Sequence, residues 1–238
     1  GMTLENSVAL VTGAGRGIGK AIALMLAREG ATIVLTARTV AELEQVKKEI
    51  EATGGSALVV RADLSKDADI EKLFGDISSR FNRFDILVNN AGLGLFAPVR
   101  DLSISDFDTM WSLNMRAVML CTQQALKVME PQKSGAIVNV ASLAGRNAFV
   151  GGAGYAATKW ALIGFSRSLM LEVRAHNIRV ITICPGSVDT SFSQSPKEPS
   201  RSETILHSED IADTVVAALK LPDRAMVSEI DIRPTNPQ

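Results

Sequence analysis

Aromatic, imidazole and thiol side chains are scarce in this chain. Its 238 residues include one tyrosine, two tryptophans, two histidines and two cysteines. Two cysteines cannot build a disulfide scaffold, and neither has neighbours of the metal-ligand type. We therefore predict no metal site and expect Cys121 and Cys184 to be small buried residues in a reducing environment.

An excess of charge and long apolar runs are missing as well. The formal net charge is −1, which argues against nucleic acid or an acidic membrane surface as a partner. No stretch has the length and apolar character of a membrane span or a signal peptide. We therefore expect a cytoplasmic protein that does not cross a membrane.

Short β-branched runs alternate with longer helical patterns along the chain. Strands are predicted at Ser7–Thr12, Ala31–Thr36, Ala57–Arg61, Asp85–Asn89, Gly135–Ala141, Ile178–Cys184 and Met226–Ile232. Helices are predicted at Gly17–Glu29, Thr39–Thr53, Lys66–Phe81, Ser105–Met129, Ala153–His176 and Ser208–Leu219. Apolar runs without alternation are typical of parallel strands buried on both faces. The pattern predicts one α/β domain over residues 2–238, a Rossmann-type doubly wound parallel sheet of about seven strands with helices on both faces.

One long irregular stretch interrupts this rhythm. Residues 186–207 include Pro196 and Pro199 and follow the sixth predicted strand. Open parallel sheets bind ligands at the carboxyl edge of their strands, so we interpret this stretch as a substrate lid. The alternative is a surface insertion without a role.

The first strand runs directly into a glycine-rich loop. Its spacing is T-G-x-x-x-G-x-G from Thr12, which differs from the usual G-x-G-x-x-G fingerprint. Glycines allow a tight turn and a close approach to phosphate, and the following helix start offers free N–H groups. We predict that this loop binds a dinucleotide through Gly13, Gly15, Arg16, Gly17, Ile18 and Gly19.

The end of the second strand indicates which dinucleotide is bound. NAD sites often place an acid there for the ribose 2′-hydroxyl, whereas this chain has Arg38 and no acid. Arg38 could bind a 2′-phosphate bidentately, and Arg16 could reach the same region. We therefore predict that NADP(H) is preferred over NAD(H). The alternative is that Arg38 is only a solvated residue at a helix start.

Two further segments fit a nucleotide groove. Asp63, followed by Leu64, is placed to accept a hydrogen bond from an adenine amino group, or else to cap the next helix. Asn90, Ala91 and Gly92 follow the fourth strand, where they would form the cofactor floor or a plain turn.

The single tyrosine, Tyr155, precedes Lys159 by four residues, which is one helical turn. A nearby ammonium stabilises a phenolate, so the pair is a candidate general acid/base. Together with the glycine loop, Asn89-Asn90-Ala91-Gly92, Asn114, Ser142 and Pro185-Gly186, this pair makes the chain resemble the short-chain dehydrogenase/reductase family from about Ser7 to Ile232.

The resemblance implies a role for each matching residue. Tyr155 would exchange a proton with the substrate oxygen, and Lys159 would lower the phenol pKa and bind the nicotinamide ribose. Ser142 would hydrogen-bond the carbonyl oxygen, and Asn114 would hold a proton-relaying water. Pro185, Gly186, Val188 and Thr190 would border the nicotinamide.

The resemblance also implies a substrate class and an assembly. Candidate pocket walls are mostly apolar and include Phe96, Phe149 and Phe192, so a neutral or acyl-type ketone is expected. The relatives it suggests are 3-oxoacyl-carrier-protein reductases and carbonyl reductases, although the ending Met226–Pro234 departs from the glycine-rich ending of the former. Association through the two long helices would give a homodimer or homotetramer.

Two alternatives to this function are considered. The first is a regulator that senses NADP(H) without turnover, which would not need Tyr155. The second is an isomerase or dehydratase acting on a sugar nucleotide, whose relatives usually carry a longer C-terminal substrate region.

Overall fold

The β-branched runs form a parallel sheet at the centre of the protein. In the computed structural model, residues 4–143, 148–186, 188–189 and 204–236 are described. The strands are β1 Val8–Thr12, β2 Thr32–Thr36, β3 Ser56–Val59, β4 Ile86–Asn89, β5 Gly135–Val140, β6 Ile178–Pro185, β7 Val188–Asp189, β8 Leu206–His207 and β9 Glu229–Ile232. Seven of them pair in parallel in the order β3-β2-β1-β4-β5-β6-β9, and β7 pairs with β8 in a second small sheet.

Helices cover both faces of the main sheet. They are α1 Gly17–Arg28, α2 Val40–Ala52, α3 Asp67–Arg80, α4 Ile104–Trp111, α5 Ala117–Gln132, α6 Ala153–Val173 and α7 Ser208–Leu219. Val11 and Ile33 pack with α1, α2 and α7, whereas Leu10 and Val34 pack with α3, α5 and α6. Each central strand is therefore buried on both faces, which confirms the predicted single-domain Rossmann-type sheet.

The strand order reverses between β1 and β4. Such a reversal opens a crevice at the carboxyl ends of the strands, where ligands of these folds bind. The loops that follow β1, β4, β5 and β6 all leave from this edge. They carry the glycine loop, the segment Asn90–Gly92, Ser142 and Gly186.

The predicted helix Ser105–Met129 is wrong in two respects. It is divided into α4 and α5 by a π-helical segment, Ser112–Arg116, and α5 continues through Pro131 to Gln132. The Gln132 side chain, next to the proline, anchors this last turn. Gln132 accepts a hydrogen bond from the Phe84 N–H at 2.9 Å and donates one to the Phe84 carbonyl at 2.8 Å.

Smaller differences concern the start of one strand and two short strands. The last strand begins at Glu229 and not at Met226, and β7 and β8 were not predicted. Two-residue strands carry too little periodicity to be recognised in a sequence. Both cysteines are buried, as expected, and burial raises the pKa of the Cys121 thiol to about 12.

Candidate functional site

The loop between β1 and α1 is shaped by the absence of side chains. Gly13 and Gly17 have φ angles of +60° and +58°, in the left-handed region that favours glycine. A Cβ on Gly19 would overlap the carbonyl oxygen of Gly13, so no larger residue fits there. Arg16 is the N-cap of α1 and has no acceptor for the first N–H groups of the helix. Uncapped N–H groups at a helix start are suited to an anion, as predicted for this loop.

The glycine loop is tied to the segment after β4. The Thr12 hydroxyl accepts hydrogen bonds from the backbone N–H groups of Asn90 and Ala91, each at 2.9 Å. The Asn90 side chain donates to the carbonyls of Thr12 and Gly13 at 3.2 and 3.3 Å. The structure thus joins the two predicted cofactor segments on either side of the strand reversal.

Arg38 and Asp63 lie together on a cavity of about 630 Å³, which Ser65, Ser105 and Asp108 also line. Arg38 is exposed, and its carbonyl accepts a hydrogen bond from the Arg61 side chain at 3.2 Å. The cavity brings the predicted 2′-phosphate residue and the predicted adenine residue to one place. Arg16 is exposed as well, with its Nε 3.8 Å from Glu42 Oε2.

Asp63 does not cap the next helix. The cap position of α3 is Lys66, whereas Asp63 accepts hydrogen bonds from the N–H and hydroxyl of Ser65 at 3.0 and 2.7 Å. The bond from the Ser65 side chain keeps the pKa of Asp63 below its ordinary value. Because Asp63 closes this local turn, the helix-cap alternative is wrong. Leu64, beside it, is buried in the core and contributes packing.

The structure brings Tyr155, Lys159 and Ser142 together. Tyr155 is half-buried and is hydrogen-bonded to the Ser142 side chain. Lys159 is 5 % exposed, and its ammonium donates to the Val140 carbonyl at 3.3 Å. Lys159 Nζ lies 5.7 Å from the centre of the Tyr155 ring, as the spacing of one helical turn predicts.

Burial dominates the proton affinities of this pair. It raises the pKa of the Tyr155 phenol, and the hydrogen bond with Ser142 acts in the opposite direction. Burial lowers the pKa of Lys159 to about 8. Desolvation of the phenolate therefore raises the pKa of Tyr155 by more than the Ser142 hydrogen bond lowers it, and the lowering expected from Lys159 stays a prediction.

Asn114 holds the site from the π-helical segment. Its side-chain amide donates to the Leu93 carbonyl at 2.9 Å and to the Thr158 hydroxyl at 3.0 Å, and its oxygen accepts from the Leu93 N–H at 2.8 Å. Thr158 in turn donates to the Tyr155 carbonyl at 2.7 Å. Asn114 thus connects the loop after β4 with the helix that carries Tyr155.

A Cβ on Gly92 would lie 2.9 Å from Asn114 Oδ1 and 3.5 Å from Lys159 Nζ. Glycine at this position therefore keeps the floor of the crevice open next to both side chains.

A second polar chain crosses the buried sheet beneath the site. Asn89 donates to Asn139 at 2.9 Å, Asn139 donates to Ser166 at 2.9 Å, and Ser166 donates to the Leu162 carbonyl at 2.7 Å. Buried amides are costly unless paired, so this chain sets the position of α6 relative to β4 and β5.

Two threonines that organise the site received no role from the sequence. Thr12 fixes the start of the loop after β4, and Thr158 links Asn114 to the Tyr155 turn. The sequence did contain a hint for Thr158. A threonine inside a predicted helix is a poor helix former, and its hydroxyl usually forms a hydrogen bond nearby.

The remaining predicted residues lie at the end of β6 or beyond it. Pro185 is buried, the Gly186 N–H donates to the Ile232 carbonyl at 2.9 Å, and Val188 is half-buried in β7. Thr190, Phe192 and most of the predicted lid at 186–207 lie outside the described residues. The pairing of β7 with β8 brings the two ends of that stretch together.

The described part of the chain offers neither a metal site nor a membrane-spanning helix. No group of three or more His, Cys, Asp or Glu residues there could hold a metal ion. Within the same residues, no helix is both long and apolar enough to cross a membrane.

Comparisons with known proteins agree with this geometry. The family model for short chain dehydrogenase matches residues 7–200. A sepiapterin reductase of Chlorobaculum tepidum is 36% identical over 236 residues, which cover 96% of each chain.

Two solved structures are also similar over nearly their full length. A metagenomic short-chain oxidoreductase in complex with NADP has a TM-score of 0.88 and 38% identity, covering 99% of this chain and 100% of its own. An alcohol dehydrogenase from Thermococcus sibiricus, complexed with 5-hydroxy-NADP, has a TM-score of 0.89 and 32% identity, covering 97% of each chain.

Proposed function

Since the chain belongs to the short-chain dehydrogenase family, we propose that it is an NADP(H)-dependent oxidoreductase that interconverts a ketone or aldehyde and the corresponding alcohol. The observation that carries this proposal is the meeting of Ser142 and Lys159 at the ring of Tyr155. A protein that only sensed the cofactor would not need this arrangement, which makes the sensor the weaker alternative.

The crevice residues fit a dinucleotide. Glycine at position 19 lets the loop fold tightly against the start of α1, since a Cβ there would overlap the Gly13 carbonyl, and the uncapped start of α1 suits a pyrophosphate. Gly13, Gly15, Arg16, Gly17, Ile18 and Gly19 would hold the phosphates, with Asn90, Ala91, Gly92, Pro185, Gly186, Val188 and Thr190 nearer the nicotinamide. When bound, the nicotinamide supplies or accepts the hydride.

The arginines at the adenosine end favour NADP(H). Arg38 stands where an NAD enzyme would present an acid, and it shares a cavity with Asp63. Two arginines, Arg16 and Arg38, are exposed at this edge and suit a 2′-phosphate. Both solved relatives described above are named as complexes of NADP or its derivative, which supports the same preference.

Tyr155 would donate the proton during reduction. Its raised pKa keeps the phenol protonated at neutral pH, ready to donate to a carbonyl oxygen that gains charge. The Ser142 hydroxyl would hydrogen-bond the same oxygen and stabilise that charge. Lys159, with a pKa of about 8, would stabilise the phenolate left behind and then return a proton to it. Asn114 would orient Tyr155 through Thr158, and the water proposed on Asn114 remains a prediction.

The substrate would be a neutral, mostly apolar carbonyl compound. The Phe96 ring contacts the Tyr155 ring, and the Phe149 ring contacts that of Phe96. Leu93, Leu95 and Leu143 lie in the same two loops and would complete the apolar walls. The relatives named as a reductase and an alcohol dehydrogenase support a carbonyl/alcohol pair. A 3-oxoacyl thioester remains one member of the proposed class.

We also propose a homodimer or homotetramer formed through α5 and α6. Large apolar side chains on these helices are exposed, with Met119 at 44%, Trp160 at 47% and Leu171 at 57%. Light scattering at micromolar concentration should give at least twice the monomer mass, and a monomer would overturn this assembly.

The test of the function is NADPH oxidation at 340 nm with 3-oxoacyl thioesters, diketones, quinones and aldehydes. Turnover of at least one class, with NADPH better used than NADH, is expected. No turnover with any class, together with tight NADPH binding, would favour the sensor. Faster turnover with NADH would reject the cofactor preference alone.

A further inference from the structure

An aromatic row extends outward from the Tyr155 ring. The centre of the Phe96 ring lies 5.4 Å from that of Tyr155 at an interplanar angle of 70°, an edge-to-face contact. The Phe149 ring follows, 5.8 Å from Phe96 at 59°. Only 5% of the residues are aromatic, so three adjacent rings at the Tyr155 hydroxyl are more than the composition would lead one to expect.

The two outer rings are open to solvent. Phe96 is 58% exposed and Phe149 is 46% exposed, although both are large apolar groups. Covering these rings with another molecule would remove apolar area from water, which favours binding at this place. Their position beside Tyr155 means that a group attached to the reacting carbonyl would be that cover.

The loop that carries Phe96 is held in place on both sides. The Leu93 backbone is bonded to the Asn114 side chain, and the Leu95 N–H contacts Met110 Sδ at 3.3 Å. The Ala97 N–H donates to the Gly151 carbonyl at 3.0 Å, which ties this loop to the turn that carries Phe149. The rings are therefore presented on a connected and preorganised support.

Each ring is seated against a glycine. A Cβ on Gly94 would lie 2.6 Å from Phe96 Cζ, and a Cβ on Gly152 would overlap the Phe149 ring. Gly152 has a φ angle of −104°, which other residues also adopt, so the backbone conformation does not require glycine at this position. The space that these two glycines leave is occupied by the rings themselves, which fixes where the rings stand.

We propose that Phe96 and Phe149 form an aromatic wall that selects carbonyl substrates with a flat conjugated group next to the carbonyl. The inference rests on the proposed function and names the substrate class for the same site. Aryl ketones, quinones and carbonyl-bearing heteroaromatic rings share the flat π face that this wall would contact. A saturated ring of equal size buries a similar area but lacks the favourable contact between aromatic rings.

The test compares acetophenone with cyclohexyl methyl ketone, which differ mainly in the aromatic character of the ring. Phe96→Leu should lower the ratio of their kcat/KM values about three- to tenfold, mainly through KM for acetophenone, and Phe149→Leu should lower it about twofold. Val150→Ala is the matched control, because Val150 lies in the same turn and is 97% exposed. It should leave the ratio unchanged.

The glycine seats provide a test that keeps both phenylalanines. Gly94→Ala should displace the Phe96 ring and lower the ratio as Phe96→Leu does, while NADPH binding stays unchanged. In the Phe96→Leu background, Gly94→Ala should have little further effect, because the ring that it displaces is already absent. Additive losses would show that Gly94 acts in another way and would count against the wall.

A non-reducible pair separates failure of the wall from failure of the function. Benzamide should bind the NADP⁺-loaded protein more tightly than cyclohexanecarboxamide in ligand-observed NMR titrations, and Phe96→Leu should remove the difference. If neither these ketones nor any class of the wider panel is reduced but benzamide is preferred, the function is rejected and the wall is retained. Equal binding of the two amides, or an unchanged ketone ratio in Phe96→Leu, overturns the wall.

Discussion

The two ends of the carboxyl edge are built by opposite means. At the glycine loop, shape comes from missing side chains, since a Cβ on Gly19 would overlap the Gly13 carbonyl oxygen. At the Tyr155 end, shape comes from side chains that bond one another, with Asn114 joined to Thr158 and Thr158 to the Tyr155 turn. We therefore expect the first end to lose its shape when atoms are added, and the second when atoms are removed.

Removing one oxygen at the second end should have the largest effect. Tyr155→Phe deletes the proton donor and leaves the ring contact with Phe96, so kcat/KM for the best ketone should fall about 10²–10⁴-fold. NADPH binding, followed by fluorescence, should change little. Val150→Ala, at a side chain that is 97% exposed, is the control. Activity within tenfold of wild type would mean that another group supplies the proton.

Adding one methyl group at the first end comes next. Gly19→Ala forces a Cβ into the Gly13 carbonyl and should lower the free energy of unfolding by about 3 kcal/mol and weaken NADPH binding. Gly164→Ala is the matched control, because a Cβ there meets nothing within 4 Å and helical glycine is unfavourable. It should stabilise by about 0.5–1 kcal/mol. Urea unfolding of both variants measures these changes. Equal changes in the free energy of unfolding would contradict the special role of Gly19.

The buried charge of Lys159 gives a pH-dependent test of the second end. Its pKa is about 8 in the folded protein and near 10.5 when unfolded, so the unfolded chain binds more protons between these values. Stability should therefore rise with pH in this window and be lost as the pH falls through about 8. From pH 7.5 to 9.5, wild type should gain about 2 kcal/mol relative to Lys159→Met in urea unfolding. Parallel pH curves would show that Lys159 is solvated.

Arg38 is an exception at the first end, because there we expect a side chain, and not a missing one, to determine which cofactor binds. Arg38→Asp should reverse the preference for NADPH over NADH, with a change of roughly tenfold or more in the ratio of their kcat/KM values. Arg224→Asp, in an exposed turn, is the control for the same change of charge. An unchanged ratio in Arg38→Asp would leave Arg38 as a solvated residue before α2.

The fold and the placement of the site could be predicted because they depend on local signals. Apolar runs predicted the seven strands of the main sheet, and the predicted helix starts at Gly17 and Ser208 agree with the structure. The spacing of Tyr155 from Lys159 correctly predicted that the two side chains lie close together. Parallel strands put their following loops at one edge, so residues after β1, β4, β5 and β6 could be assigned to one crevice.

Other features depend on contacts between residues far apart in the chain and could not be predicted from the sequence. The π-helical segment around Asn114 and the course of α5 through Pro131 depend on bonds to Leu93, Thr158 and Phe84. The sign of the Tyr155 pKa shift depends on how much protein covers the ring, which spacing alone does not give. The glycine seats of Phe96 and Phe149 are likewise visible only once the loops are folded.

We propose that this protein moves a hydride from NADPH to a carbonyl carbon while Tyr155 supplies the proton. The most direct measurement uses NADPH deuterated at both C4 positions, with mass spectrometry of the alcohol formed from the best ketone of the panel. We predict one deuterium on the carbinol carbon for each NADPH oxidised, and almost no labelled alcohol with Tyr155→Phe. NADPH oxidation without deuterium in the alcohol, or full labelling by Tyr155→Phe, would contradict the account.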